Sequence, residues 1–223
     1  LAGRPYFDGA AAAQELSQHR LPGVFLDFET IQFAVPIWRG TRPYQQITFQ
    51  FSAHTMSADG KIEHAAFLDV SGDDPSRPFA EALVRACGEA GPVFVYNAGF
   101  ERTRIKELAA RLPEMEWPLM AISERIVDLL PITRKHYYHP AQEGSWSIKS
   151  VLPAIVPELS YHDLDGVQDG GMAMEAYLEA IQPGTTNARR EEIRAQLLEY
   201  CKLDTYAMIG IWRHLAGRSD IRL

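Results

Sequence analysis

Hydrophobic and polar positions alternate in patterns that predict an order of elements. A stretch rich in Ala, Gln and Glu, with Asp8 as its cap, predicts a helix over 9–19, before Pro22 and Gly23 break the chain. A buried strand is expected over 24–29. Alternation over 46–56, the turn residues Asp59 and Gly60, and a returning apolar run over 62–70 predict a hairpin. Phe79, Leu83 and Cys87 space a helix over 78–90. Val93 to Tyr96 is a short buried strand, and Ile105, Leu108 and Leu112 mark a helix over 99–112. A last strand is expected over 126–130, then a loop over 131–146 rich in aromatic and basic residues, then helices over 148–155, 172–181 and 187–215. Strands leading into helices favour parallel pairing, while the hairpin adds antiparallel strands, so the expected class is α/β with a mixed five-stranded sheet flanked by helices.

Acidic residues interrupt this pattern at three places. Asp27 and Glu29 lie two apart in the first buried strand and so share one face, opposite Val24, Leu26 and Phe28. Two like charges side by side in a protein interior are costly unless a cation neutralises them, and hard oxygen ligands suit Mg²⁺ or Mn²⁺. A solvated strand end is the plainer alternative. Asn97 and Glu101 fall where a strand turns into a helix, with Gly99 read as permitting a tight backbone. There the plainer alternative is a helix cap and an acid answering the helix dipole. Asp204 sits on the apolar stripe of the last helix, with Tyr200 one turn earlier on the same side. A core salt bridge would explain that acid as well.

In combination and order, the three motifs resemble the DEDD exonuclease superfamily, the DnaQ-like branch of the RNase H-like fold, in its tyrosine form. The resemblance covers about residues 24–215. It implies a 3′–5′ exonuclease acting on single-stranded or frayed DNA or RNA. Asp27, Glu29, Glu101 and Asp204 would hold two Mg²⁺ or Mn²⁺ ions, and Tyr200 would orient the attacking water. Thr30, Asn97, Arg102 and Lys149 are the expected substrate contacts, with Arg104, Lys106, Arg134 and Lys135 as further backbone grips and Tyr137, Tyr138 or Trp146 as stacking platforms. One departure stands out: the second motif ends in Glu101 where the superfamily has Asp, and Mg²⁺ is strict about geometry. Segments 125–129, 136–140 and 144–149 look like a bacterial family of uncharacterised domains, in which a DnaQ-like part ends a longer chain.

Composition changes this picture in two ways. The 223 residues are 46% apolar and 23% charged, which suits one domain with residues 1–22 as a helical extension. The chain opens on Leu1, so an excised piece of something longer, with an additional N-terminal domain, is expected. The formal net charge of −7 is unusual for a nucleic-acid binder. Acids gathered in a metal site would reduce that objection, since two divalent ions add about +4 locally. Cys87 and Cys201 form no motif, and no apolar stretch is long enough for a membrane. A cytoplasmic location without membrane contact is the expectation. His136 and His139 lack the further ligands a zinc site needs. The competing reading is a catalytically weak RNase H-like module that binds nucleic acid or protein, and an endonuclease on the same core is a further one.

Overall fold

The computed structural model describes residues 3–221. Strand β1 is Tyr6–Phe7 and helix α1 is Gly9–Leu16, with the Asp8 side chain accepting from the Ala11 N–H. The sheet is built from β2 (Gly23–Ile31), β3 (Ile47–Met56), β4 (Ile62–Leu68), β5 (Val93–Val95) and β6 (Ile126–Asp128). Helices α2 (Ser76–Cys87), α3 (Ala98–Arg111), α4 (Glu116–Glu124), α5 (Leu129–His136), α6 (Ile148–Ile155), α7 (Gly170–Ala180) and α8 (Asn187–Leu215) flank it. Strand β7, Tyr137–Tyr138, pairs antiparallel with β1 in a separate two-stranded ribbon.

The sheet order is β4-β3-β2-β5-β6. β2, β3 and β4 pair antiparallel, whereas β2, β5 and β6 run parallel, so this is the mixed five-stranded α/β sheet expected. Alternation along β2 decides which side each residue faces. Val24, Leu26 and Phe28 join a core with Phe79 and Leu83 of α2 and Ile105 and Leu108 of α3. Phe25 packs instead with Met208, Ile211 and Trp212 of α8. Burying side chains of this size contributes about 1.5–3 kcal/mol each. Asp27 and Glu29 alternate with Leu26 and Phe28 and so fall on the α8 side of β2, Asp27 half-buried and Glu29 buried.

Two stretches differ from the sequence reading. Residues 131–136, expected as loop, continue helix α5. Pro131 is compatible with the helix because it lies in the first turn, where its missing N–H has no helical partner to lose. Asp128 caps that helix by accepting from the Leu130 N–H at 3.0 Å. Residues 113–124, for which the sequence pattern predicts no element, form a 3₁₀ turn over Pro113–Met115 and then α4, whose Leu119 and Ile122 are buried. Residues 1–2 of the expected extension lie outside the described residues. Ala12 and Leu16 of α1 are core residues packed with α5 and α8. Cys87 and Cys201 are free and buried. Among the described residues no helix is long and apolar enough to cross a membrane.

Candidate metal centre

Helix α8 lies over β2 and β3, and buried polar groups fix its position. The Gln50 amide donates to the Leu197 carbonyl at 2.7 Å. The Thr205 hydroxyl lies 2.7 Å from both Ser52 Oγ and His54 Nδ1, and Ser52 Oγ is 2.9 Å from His64 Nε2. Ser52 is the cross-strand partner of Asp27. This anchoring therefore sets Asp204, the residue before Thr205, opposite Asp27. Cys201 is small enough for close approach, its sulfur 4.0 Å from the Asp27 carbonyl.

Asp27, Glu29 and Asp204 each place a carboxylate oxygen within 4.8 Å of the others. Glu29 and Asp204 are only 9% and 5% exposed, and Asp27 is half-buried. Burial and then the charges of Asp204, Glu29 and Glu101 push Asp27 well above the carboxylate range. Burial and the Asp204 charge push Glu29 up to about 8, against the pull of Lys149. Asp204 is pushed up to about 6 by burial, against a hydrogen bond from Tyr161 and the Lys149 charge.

Two tyrosines and one lysine close the cluster. Tyr161 donates to Asp204 Oδ1 at 2.6 Å. Lys149, in the first turn of α6, donates to the Tyr200 hydroxyl at 3.2 Å and to the Gln168 carbonyl at 2.7 Å. Its ammonium sits 5.0 and 4.9 Å from the ring centres of Tyr161 and Tyr200. Burial first, then the carboxylate charges, raise both phenols, so each stays protonated at neutral pH.

The second motif arrives differently. Glu101 is buried in the first turn of α3, and its Oε2 has no hydrogen-bond partner among the described residues. Burial raises it to about 8, its own backbone N–H opposing and the Asp128 charge adding. It stands outside the three-carboxylate group, yet near enough for its charge to act on Asp27. The left-handed backbone at this turn belongs to Asn97, at φ 87°, and not to Gly99, which is inside α3. Asn97 is exposed and its side chain makes no cap. Asp128 does that work instead, accepting from the Asn97 and Ala98 N–H groups at 3.0 and 2.9 Å.

Of the other expected contacts, Thr30 is buried beside the β2 bulge, and exposed Arg102 donates to the Ile126 carbonyl at 2.9 Å. Arg104 is buried, bonded to Gln46 and Glu107 and placed over Phe100, so it holds α3 rather than a ligand. Lys135 pairs with Glu15 at 2.8 Å, as does His136 at 2.9 Å, while Lys106 and Arg134 are exposed. Tyr137 is buried and donates to the Ala154 carbonyl, and Tyr138 and Trp146 are half-buried against each other. His139 Nδ1 accepts from the Ala141 N–H. Sequence reasoning missed Tyr161 and Asp128. Asp128 had a signal, an acid ending an apolar strand. Tyr161 lies in an irregular stretch with no periodicity to single it out.

A family model described as "Domain of unknown function (DUF2779)" matches residues 24–147. The chain belongs to this family. The DUF2779 match takes in Asp27, Glu29 and Glu101, whereas Lys149, Tyr161, Tyr200 and Asp204 follow it in the chain. The chain is 29% identical over 207 residues to the uncharacterized protein MG366 homolog of Mycoplasma pneumoniae, covering 84% of this chain and 31% of that protein. It is 27% identical over 210 residues to uncharacterized protein MG366 of Mycoplasma genitalium, covering 84% and 31%. Against uncharacterized protein UU173 of Ureaplasma parvum it is 24% identical over 221 residues, covering 90% and 32%. The chain thus spans about a third of the length of the curated relatives it matches. No solved structure matches it.

Proposed function

We propose that the chain is a metal-dependent nuclease of the DnaQ-like, RNase H-like kind, hydrolysing phosphodiester bonds of single-stranded DNA or RNA from the 3′ end. One observation carries the reading: three carboxylates from two facing elements converge within 4.8 Å in a largely buried site. Lys149 alone is too little positive charge for three ionised acids, and the donor set is all hard oxygen, which fits Mg²⁺ or Mn²⁺. Asp27, Glu29 and Asp204 would hold the ions, with the unpartnered Glu101 oxygen completing the set. Paired divalent ions, when bound, make a water acidic enough to attack phosphorus and offset charge on the leaving oxygen.

The chain's own residues would orient the reaction. Tyr161 fixes Asp204 by donating to one of its oxygens. The Tyr200 hydroxyl accepts from Lys149, which leaves its own proton free to donate towards a water or a phosphate oxygen. As it stays protonated, it acts as a donor and not as a base. Tyr200→Phe is therefore expected to lower turnover roughly 10- to 1,000-fold, the range for losing one positioned group, with strand affinity unchanged. Equal turnover of the variant and the parent in single-turnover kinetics would remove Tyr200 from the chemistry.

The proposed 3′–5′ polarity rests on the resemblance. Incubation with single-stranded DNA and RNA labelled at either end tests it, in Mg²⁺, Mn²⁺ or EDTA. The expected result is a metal-dependent ladder shortening from the 3′ end and silence in EDTA. Cleavage of a circular strand would mark an endonuclease. The position of Glu101 outside the carboxylate group favours a second reading, a module that binds metal and nucleic acid without turnover. Stoichiometric metal uptake with no cleavage of any strand would select it.

A further inference from the structure

Resting on the nuclease reading, we infer that the segment between β2 and β3 is a preformed grip for the single strand entering the site, with Tyr44 stacking on a base and Arg39 and Arg42 holding phosphates. The segment starts directly after β2, whose Glu29 belongs to the carboxylate cluster, and the strand-gripping residues expected from sequence lie elsewhere.

Its charge is opposite to that of the chain. Residues 32–46 contain no Asp or Glu, in a chain of net charge −7 with 29 acids. Arg39 and Arg42 are exposed. Arg42 has one ion pair, 3.7 Å from Glu107, and its side chain remains 74% exposed. A loose, solvated pair of this kind contributes little and gives way readily to a phosphate.

Its apolar residues are split between anchor and display. Trp38 is buried, donates to the Gly72 carbonyl at 3.0 Å and packs edge-on against Phe33. Thr41 turns back onto the Trp38 carbonyl at 2.6 Å, and Arg111 donates to the Arg39 carbonyl at 2.9 Å. The Tyr44 N–H donates to the Phe33 carbonyl at 2.8 Å, closing the loop on itself. On this fixed base Val35 and Tyr44 are 79% and 67% exposed. Tyr44 is held at φ 57°, a left-handed backbone unfavourable for a bulky residue. Residues held in such sparsely populated backbone regions cluster at ligand-binding sites. Aromatic faces interleaved with arginines match a single strand, which offers bases for stacking and phosphates for charge.

The test measures binding of fluorescent oligothymidylate and oligouridylate, about 12 nucleotides long to span one site, in an Asp27→Asn background that consumes no strand. Tyr44→Ala is expected to weaken binding about 5- to 100-fold, and Tyr44→Phe to retain it. Arg39→Ala with Arg42→Ala should flatten the dependence of log affinity on log salt by about 0.7 per lost phosphate contact. Tyr44→Gly relieves the left-handed backbone, so it should melt no lower than the parent while still losing binding. Parental affinity and salt slope in both the Tyr44→Ala and double-arginine variants would overturn the inference and leave the loop to a protein partner. The nuclease reading is judged separately, by cleavage with the wild-type chain. Strand binding lost with the loop while wild type never cleaves would keep this inference and remove that reading.

Discussion

Asp27→Asn is expected to reduce hydrolysis by roughly 10³-fold or more and, in EDTA, to raise the melting temperature at pH 8 by a few degrees. Both effects follow from one arrangement. Asp27 faces Asp204 and neighbours Glu29 on the same strand face, and it also feels the charge of Glu101. An amide of the same shape keeps the packing but cannot supply the negative charge that holds a divalent ion. Without metal, the same loss is a relief, because burial and the other acids oppose ionisation of Asp27. A residue serving only the fold would give the opposite pairing, with lower stability and intact turnover. Initial rates on a labelled strand and melting in EDTA check the two halves separately. Turnover equal to wild type would remove Asp27 from the reaction.

The carboxylate pair on β2 was legible because strand geometry is rigid: residues two apart share a face whatever the rest of the fold does. Tyr200 and Asp204 were legible because four residues make about one helical turn. What brings the two pairs together was not legible. The convergence depends on Gln50, Ser52 and His54 on β3 docking α8 in register, contacts between residues about 150 apart that leave no local pattern. Tyr161 was hidden for the same reason, since it reaches Asp204 from a segment without periodicity. Arg104 shows the converse error. A basic residue beside a motif suggests a phosphate contact, but helical phase turned it inward onto Gln46 and Glu107. Helix α5 was not legible because its aromatic and basic residues carry no long apolar period, and Pro131 is harmless in its first turn.

The metal-free protein should lose stability as pH rises from 6.5 to 8, by on the order of 5 °C in melting temperature, and millimolar Mg²⁺ or Mn²⁺ should reverse the loss. Glu29 and Glu101 both titrate near 8 in the folded chain, against an ordinary value of 4.5, and Asp27 lies higher than its usual range. A raised carboxylate favours folding while protonated. Its contribution is complete below the unfolded value and is lost as pH climbs through the folded one. Between 6.5 and 8 the unfolded chain has already released these protons and the folded chain has not, so each group tilts the balance towards unfolding. The buried histidine His54 works in the other direction, held down to about 3 by burial and by the charges of His64 and Lys202. Its stabilisation is complete well above 6.5 and is lost below, so across this window it offsets only a small part of the carboxylate effect. Surface acids such as Glu179, lowered by Arg189, are ionised throughout it and are silent. Bound cations need the ionised ligands, so the stabilisation they give should grow with pH. Melting curves across this range, in EDTA and in metal, decide the matter. A metal-free melting temperature that stays flat or rises towards pH 8 would mean that burial and neighbouring charge do not hold these acids protonated, and the argument for a cation at this site would go with it.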